Sequence, residues 1–152
     1  MTNTTLSNTV FAKEVMEGLS SYPKKLSSKY FYDEKGDKLF QEIMKMDEYY
    51  LTKSEYEIFS LQKQDIFKRL VDDKVFFQLI EFGAGNGLKT KLLLDYLVKE
   101  QVDFEYHPID ISQHGLKELE RSLNKSWPQL KCTPIVDTYF NALQKLPSDQ
   151  RK

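Results

Sequence analysis

Val75-Phe-Phe-Gln-Leu-Ile-Glu-Phe82 runs directly into Gly83-Ala-Gly-Asn-Gly87, and the helical pattern Leu88-Lys-Thr-Lys-Leu-Leu-Leu-Asp-Tyr-Leu-Val-Lys99 follows at once. An apolar run of strand length, a glycine-rich turn and an amphipathic helix make the first half of a βαβ unit. In the helix, Leu92, Leu93, Tyr96 and Leu97 are expected to face inward, with Lys91, Asp95 and Lys99 outward. Downstream, Phe104 to Ile109 reads as a second strand ending at Asp110, and Leu116, Leu119 and Leu123 form a helical stripe before Pro128. Leu130 to Val136 reads as a third strand, and Tyr139 to Leu146 as a short helix before Pro147. Strand, helix, strand, helix, strand predicts an α/β fold with a parallel sheet.

Upstream the rhythm is helical or irregular. Phe11, Val15 and Leu19 recur every four residues until Pro23. After the aromatic and charged segment Lys29 to Gly36, Leu39, Phe40, Ile43 and Met44 fall on one face of a short helix. Thr52-Lys-Ser-Glu55 fits a capping box, opening a helix that buries Phe59, Ile66 and Leu70. The expected division is a helical segment, 1–70, and the first half of a nucleotide-type domain, 71–152.

Composition narrows the function. Lys plus Arg (22) nearly balances Asp plus Glu (23), so no net field points to nucleic acid or an anionic membrane. No run is long enough to cross a bilayer, and Met1 to Thr9 lacks the basic and apolar regions of a signal peptide. A cytoplasmic protein is the expectation. One cysteine, Cys132, excludes an internal disulfide, and its apolar surroundings suggest a buried thiol rather than a nucleophile. His107 and His114 have no metal-ligand partners at useful spacing.

The chemistry rests on Gly83-x-Gly85-x-Gly87 followed by Asp110 at the tip of the next strand. Glycines let the backbone bend tightly and approach a ligand without a Cβ in the way. An acid at the end of strand two can accept hydrogen bonds from ribose hydroxyls. Three ligands compete. A dinucleotide turn needs a glycine where Leu88 stands. A phosphate-binding loop matches Gly83 to Thr90 except, again, at Leu88. S-adenosylmethionine (SAM) needs neither that glycine nor a phosphate site, and Glu81 suits a ligand carrying an ammonium and a sulfonium. The pattern ranks SAM first, dinucleotide second and a phosphate-binding loop third. A tight βα turn with no ligand also stands as a reading of any lone glycine cluster.

Further blocks widen the comparison. Pro23-Lys-Lys-Leu-x-x-Lys29-Tyr-Phe-Tyr-Asp33, Gly36-x-x-Leu-Phe40 and Glu48-Tyr-Tyr-x-Thr52-x-x-Glu55 precede Glu81-Phe-Gly-x-Gly85-x-x-x-Lys89-Thr90 and Pro108-Ile-Asp110-Ile-Ser112. In this order and spacing, from Pro23 to about Val136, the chain resembles the histidine-specific Nα-methyltransferases, whose founding activity serves ergothioneine biosynthesis. Lys89-Thr90 is itself a feature of that family, which removes the phosphate-loop reading. The resemblance implies a Rossmann-like class I methyltransferase fold, here an incomplete parallel sheet preceded by the helical segment.

It also implies SAM as cofactor, touched by Gly83, Lys89 and Asp110, with Asp110 on the ribose; Gly85, in the same turn, is a further cofactor-binding candidate. Tyr49 corresponds to the tyrosine that meets the substrate imidazole, and Tyr32 to one lining the amino-group pocket and the only candidate for a catalytic role. Where the family has an adenine-contacting Asp-Phe pair, this sequence has Asp137-Thr138-Tyr139, so Asp137 is the candidate there. Read without the resemblance, Tyr32 and Tyr49 are packing residues with wet hydroxyls, and Lys89 is a solvated lysine.

The implied substrate is an amino acid, histidine first, methylated on its α-amino group. Family members are considerably longer, so the chain ending at Arg151-Lys152 reads as an N-terminal portion, inactive alone. In this fold the first strand is flanked by strands two and four. Without strand four, Val75 to Phe82 would present an open edge through which the chain is expected to self-associate. The alternatives are a SAM-binding or structural module that needs a partner chain, and an NAD- or ATP-dependent enzyme domain.

Overall fold

The computed structural model describes residues 3–71 and 75–146, with side chains described from residue 10. The expectations about Met1, Thr2, Pro147 and the end at Arg151-Lys152 lie outside the described residues. Two units separate, residues 1–32 and 33–152.

The first unit holds helix α1 (Asn3–Ser20) and a 3-10 turn, Ser28–Phe31. The two are tied within the unit by Glu14, which accepts from Lys29 Nζ at 2.7 Å and Tyr30 Oη at 2.8 Å. Phe11 meets the Tyr30 ring edge-on at 4.7 Å. Gly18 admits the returning chain: a Cβ there would lie 2.1 Å from the Lys25 carbonyl oxygen, whose residue also donates its N–H to the Gly18 carbonyl at 3.0 Å. Of the predicted stripe, Phe11 and Leu19 remain exposed within this description and Val15 is half-buried.

The second unit contains α2 (Glu34–Ile43), α3 (Tyr50–Leu70), β1 (Phe77–Phe82), α4 (Thr90–Lys99), β2 (Phe104–Asp110), α5 (Gln113–Ser126), β3 (Ile135–Val136) and α6 (Tyr139–Lys145). The sheet order is β1-β2-β3, all parallel, with Phe77 opposite Phe104 and Phe82 opposite Ile109. Strand alternation puts Phe77, Leu79 and Glu81 on one face with Phe104, Tyr106 and Pro108. Against that face pack Leu93, Leu94 and Leu97 of α4 and Leu116, Leu119 and Leu123 of α5, all buried. Phe59, Ile66 and Leu70 of α3 pack half-buried on the same core. On the opposite face, Gln78 and His107 are buried. Neither Gln78 Oε1 nor either His107 ring nitrogen has a hydrogen-bond partner among the described residues.

Several expectations shift. The inward stripe of α4 is Leu93-Leu94-Leu97, while Leu92 and Tyr96 are half-buried. The helix begins at Thr90 rather than Leu88, because Leu88 is still in the bend and its N–H is taken by Asn86 Oδ1 at 3.1 Å. The third strand shrinks to two residues plus an isolated bridge from Tyr106 to Cys132, since Pro134 between them has no N–H to donate. The Thr52–Glu55 capping box does not form. Helix α3 starts at Tyr50 with Tyr49 as N-cap, which leaves Thr52 inside the helix and frees Glu55. The Leu39-Phe40-Ile43 face of α2 is exposed. Cys132 is half-buried, and burial pushes its thiol up to about 12, outside the range of a reactive thiolate.

Gly87 is where the bend locks onto the helical layer. It has φ +65°, and a Cβ there would meet Leu119 Cδ1 at 2.5 Å. Left-handed backbone and a core clash together predict that Gly87→Ala lowers stability by about 2 kcal/mol or more. Urea unfolding monitored by circular dichroism checks this, and an unchanged midpoint would contradict the packing described.

Candidate cofactor cleft

The cleft is assembled at the carboxyl ends of β1 and β2, where ligands bind in open α/β sheets. Parallel pairing brings the end of β1 level with the end of β2, so the bend after Phe82 lies beside Asp110. The Gly83 and Ala84 N–H groups donate to the Ile109 carbonyl at 2.8 and 3.3 Å, and the Gly87 N–H to the Ala84 carbonyl at 2.9 Å. These bonds hold a bend in which Gly83, Gly85 and Gly87 all have positive φ. Only glycine adopts that conformation without strain.

Asp110 closes the arrangement. Its Oδ2 accepts from the Gly85 N–H at 2.9 Å, and its Oδ1 accepts from the Ser112 N–H at 2.9 Å. The carboxylate therefore lies at the mouth of the bend. The bend is also open: a Cβ built on Gly85 meets nothing within 4 Å. An open glycine surface beside a fixed acid fits the methionine-to-ribose stretch of SAM. At Gly83, a Cβ would come 3.0 Å from Tyr139 Oη, whose ring tilts against Phe82 at 5.0 Å. Tyr139, at the start of α6, is a rim residue, and it belongs to the Asp137-Thr138-Tyr139 stretch that stands where the family's adenine-contacting pair is expected.

Lys89 is the N-cap of α4, and its ammonium pairs with Glu55 of α3 at 2.5 Å. Glu81 is engaged within the protein. Its side chain falls on the helix-covered face of the sheet, where its carboxylate accepts from the hydroxyls of Thr90 and Tyr106. Burial raises its pKa, and the two hydroxyls pull it back. Glu81 thus ties β1, β2 and the first turn of α4 together under the bend.

Tyr49 is half-buried at the N-cap of α3, with Phe40 of α2 edge-on at 5.8 Å. Tyr32 belongs to the first unit, where it ends the 3-10 turn and is exposed. Asp137 directly follows β3, and its N–H donates to the Asp110 carbonyl at 3.2 Å. Its carboxylate is held by Lys145 Nζ at 2.5 Å, Asn141 Nδ2 at 3.1 Å and the Thr138 N–H at 2.7 Å. Sequence reasoning missed Glu55, Asp37 and Ser112 as parts of this region. Glu55 and Ser112 stand in the blocks that carry the family resemblance, but Glu55, three residues after Thr52, reads as a local cap partner and Ser112 has no role there, while Asp37 carries no signal at all.

A parallel sheet with a glycine bend after its first strand and an acid at the tip of its second is a Rossmann-like arrangement, with three strands among the described residues; the family match makes it a class I methyltransferase fold. The chain belongs to the SAM-dependent histidine-specific methyltransferase family, whose model matches residues 11–152. It is 37% identical over 125 residues to ergothioneine biosynthesis protein 1 of Schizosaccharomyces pombe, covering 80% of this chain and 16% of that protein. It is 28% identical over 140 residues to histidine N-alpha-methyltransferase of Mycolicibacterium smegmatis, covering 92% of this chain and 42% of that one. The chain thus spans less than half the length of these curated relatives. The solved structure of DszA carbon methyltransferase is 21% identical with a TM-score of 0.45, over 67% of this chain and 26% of that chain. Among the described residues, no helix is long and apolar enough to cross a membrane.

The hydrogen bonds to Asp137 hold its carboxyl down at about 2, chiefly through Lys145. A depressed folded-state pKa contributes stability that is present above the ordinary carboxylate range and lost as pH falls through the folded value. Between pH of about 4 and about 2, the melting temperature of the native chain should fall more steeply than that of Asp137→Asn. Parallel curves would show that the cluster does not form.

Proposed function

We propose that these residues form the cofactor-binding part of a SAM-dependent N-methyltransferase acting on the α-amino group of an amino acid, histidine foremost, toward trimethylhistidine. The observation that carries it is the Asp110 carboxylate fixed against the open Gly85 bend, at 2.9 Å from its N–H. Gly83 and Gly85 would receive the methionine end, Asp110 the ribose, Lys89 a cofactor carboxylate and Asp137 the adenine side. Tyr49 would face the substrate imidazole, with Tyr32 assigned to the amino-group pocket by the family resemblance alone. Family membership and the names of the relatives support the substrate.

The chemistry supplied by the cofactor is an activated methyl carbon on a sulfonium, which takes the amine's lone pair as the carbon–sulfur bond breaks. The protein's part is to hold the two reactants in line and keep water out. The substrate ammonium must first lose a proton, for which a tyrosine hydroxyl near the amine is a suitable relay. Tyrosine faces would also favour the quaternary ammonium that a third methylation produces. Because the chain spans 42% of the bacterial relative, we propose that residues 1–152 bind cofactor but do not turn over histidine on their own.

Calorimetry with S-adenosylhomocysteine, NAD and ATP on the 152-residue chain tests the cofactor. Binding of S-adenosylhomocysteine alone is expected, weakened about tenfold or more by Asp110→Asn, which removes a charged acceptor, and by Gly85→Ala, whose Cβ enters the open bend. Binding of NAD or ATP instead would replace this reading with a nucleotide enzyme.

The edge position of β1, paired only with β2 among the described residues, supports a second proposal. Unpaired strand groups along Phe77 to Phe82 recruit another strand, and a second copy of this chain is the available one. Sedimentation at rising concentration should show dimers or larger species. A monomer at every concentration, with β1 amides protected from exchange, overturns this.

A further inference from the structure

Ser112 does more than begin α5. Its Oγ accepts from the Gly115 N–H at 3.0 Å as an N-cap, while its own hydroxyl hydrogen goes to Asp37 Oδ2 on α2, at 2.5 Å. Its main-chain N–H donates to Asp110 Oδ1. Asp37 comes from 75 positions upstream, and its side chain is only 14% exposed while Ser112 is 4% exposed. The position of Asp37 is itself fixed. Asp33 caps α2 by accepting from the Gly36 N–H at 2.7 Å, and the Asp37 N–H donates to the Asp33 carbonyl at 2.8 Å. Gly115 leaves the room needed, since a Cβ there would lie 3.2 Å from Ser112 Oγ and 3.6 Å from Asp37 Oδ2. His114 also faces Asp37, with Nδ1 at 3.7 Å.

The consequence lies in the geometry of Asp110. Each carboxylate oxygen has two acceptor sites, and here each gives one to a main-chain N–H, from Gly85 and from Ser112. One site per oxygen remains, a spacing suited to two neighbouring hydroxyls on one ring. We infer that Asp37 and Ser112 are positioning residues that aim Asp110 at the vicinal hydroxyls of the cofactor ribose. A serine hydroxyl has a single hydrogen. With that hydrogen committed to Asp37, a lone pair is left to hold the Gly115 N–H, and the Ser112 N–H stays directed at Oδ1. Without Asp37 the hydroxyl turns, the start of α5 loosens, and only Gly85 orients the acid. This rests on the proposal that Asp110 holds the ribose.

The test measures binding of S-adenosylhomocysteine and of its 2′-deoxyribose analogue to the 152-residue chain and its variants. The native chain should bind the deoxy analogue about tenfold more weakly, the loss of one charge-assisted hydrogen bond. Asp37→Ala should weaken S-adenosylhomocysteine about tenfold and the deoxy analogue much less, so that discrimination shrinks to about twofold. Asp37→Asn, of the same shape, should shrink it part-way, and serves if Asp37→Ala does not fold. Ser112→Thr, which keeps the hydroxyl, should retain the native ratio, while Ser112→Ala should lose it. A structural role alone would weaken both ligands in proportion, and a ratio unchanged in Asp37→Ala or Asp37→Asn overturns the inference. If the native chain binds but does not discriminate, the ribose assignment of Asp110 fails. If it does not bind S-adenosylhomocysteine at all, the cofactor reading falls and this inference with it.

Discussion

Asp110 bridges two main-chain amides, Gly85 on one side and Ser112 on the other, and the geometry of the cleft depends on that bridge. An ionised acceptor forms shorter and stronger hydrogen bonds than a neutral one, so one side chain fixes both the bend after β1 and the entry to α5. The bridge exists because β1 and β2 are parallel and in register, which brings the two strand ends level. In an antiparallel pair the acid would lie at the opposite end of the sheet from the bend.

Around this bridge, two carboxylates from the preceding helices reach the cleft rim. Asp37 of α2 meets Ser112, and Glu55 of α3 meets Lys89. The first is largely buried and the second half-exposed, so they differ in weight. A half-exposed ion pair adds little stability, whereas a buried hydrogen bond to a charge adds more and cannot be lost without leaving a polar group unpaired. Helix α3 is also pinned farther along, where Phe67 meets Tyr96 of α4 edge-on at 5.0 Å. A single helix thereby carries Tyr49 at its start and packs beside the helix that Lys89 caps.

Much of this was legible before any coordinates. The apolar run, the glycine turn and Asp110 stand at spacings that only a βαβ unit explains, and the order of elements followed. The departures concern which partner or face a side chain takes. Thr52-x-x-Glu55 has the local form of a capping box, yet Glu55 engages Lys89, 34 positions away. Glu81 has a charge suited to a cationic ligand, yet strand alternation turns it under the sheet toward Thr90 and Tyr106. The inward stripe of α4 is Thr90-Leu93-Leu94-Leu97, spaced i, i+3, i+4, i+7; three consecutive leucines, Leu92 to Leu94, leave the face open to more than one reading until packing selects it.

What the sequence determined alone was what short-range rules govern: the strand–bend–helix order, the need for glycine at positive φ, and an acid at a strand tip. The tertiary structure decided partnership. Which carboxylate meets which cation, hydroxyl or amide depends on helices brought together from distant parts of the chain. Aspartates and glutamates at unremarkable positions carry no mark of that choice, so Asp37 and Glu55 gained a role only once packing placed them at the rim of the cleft.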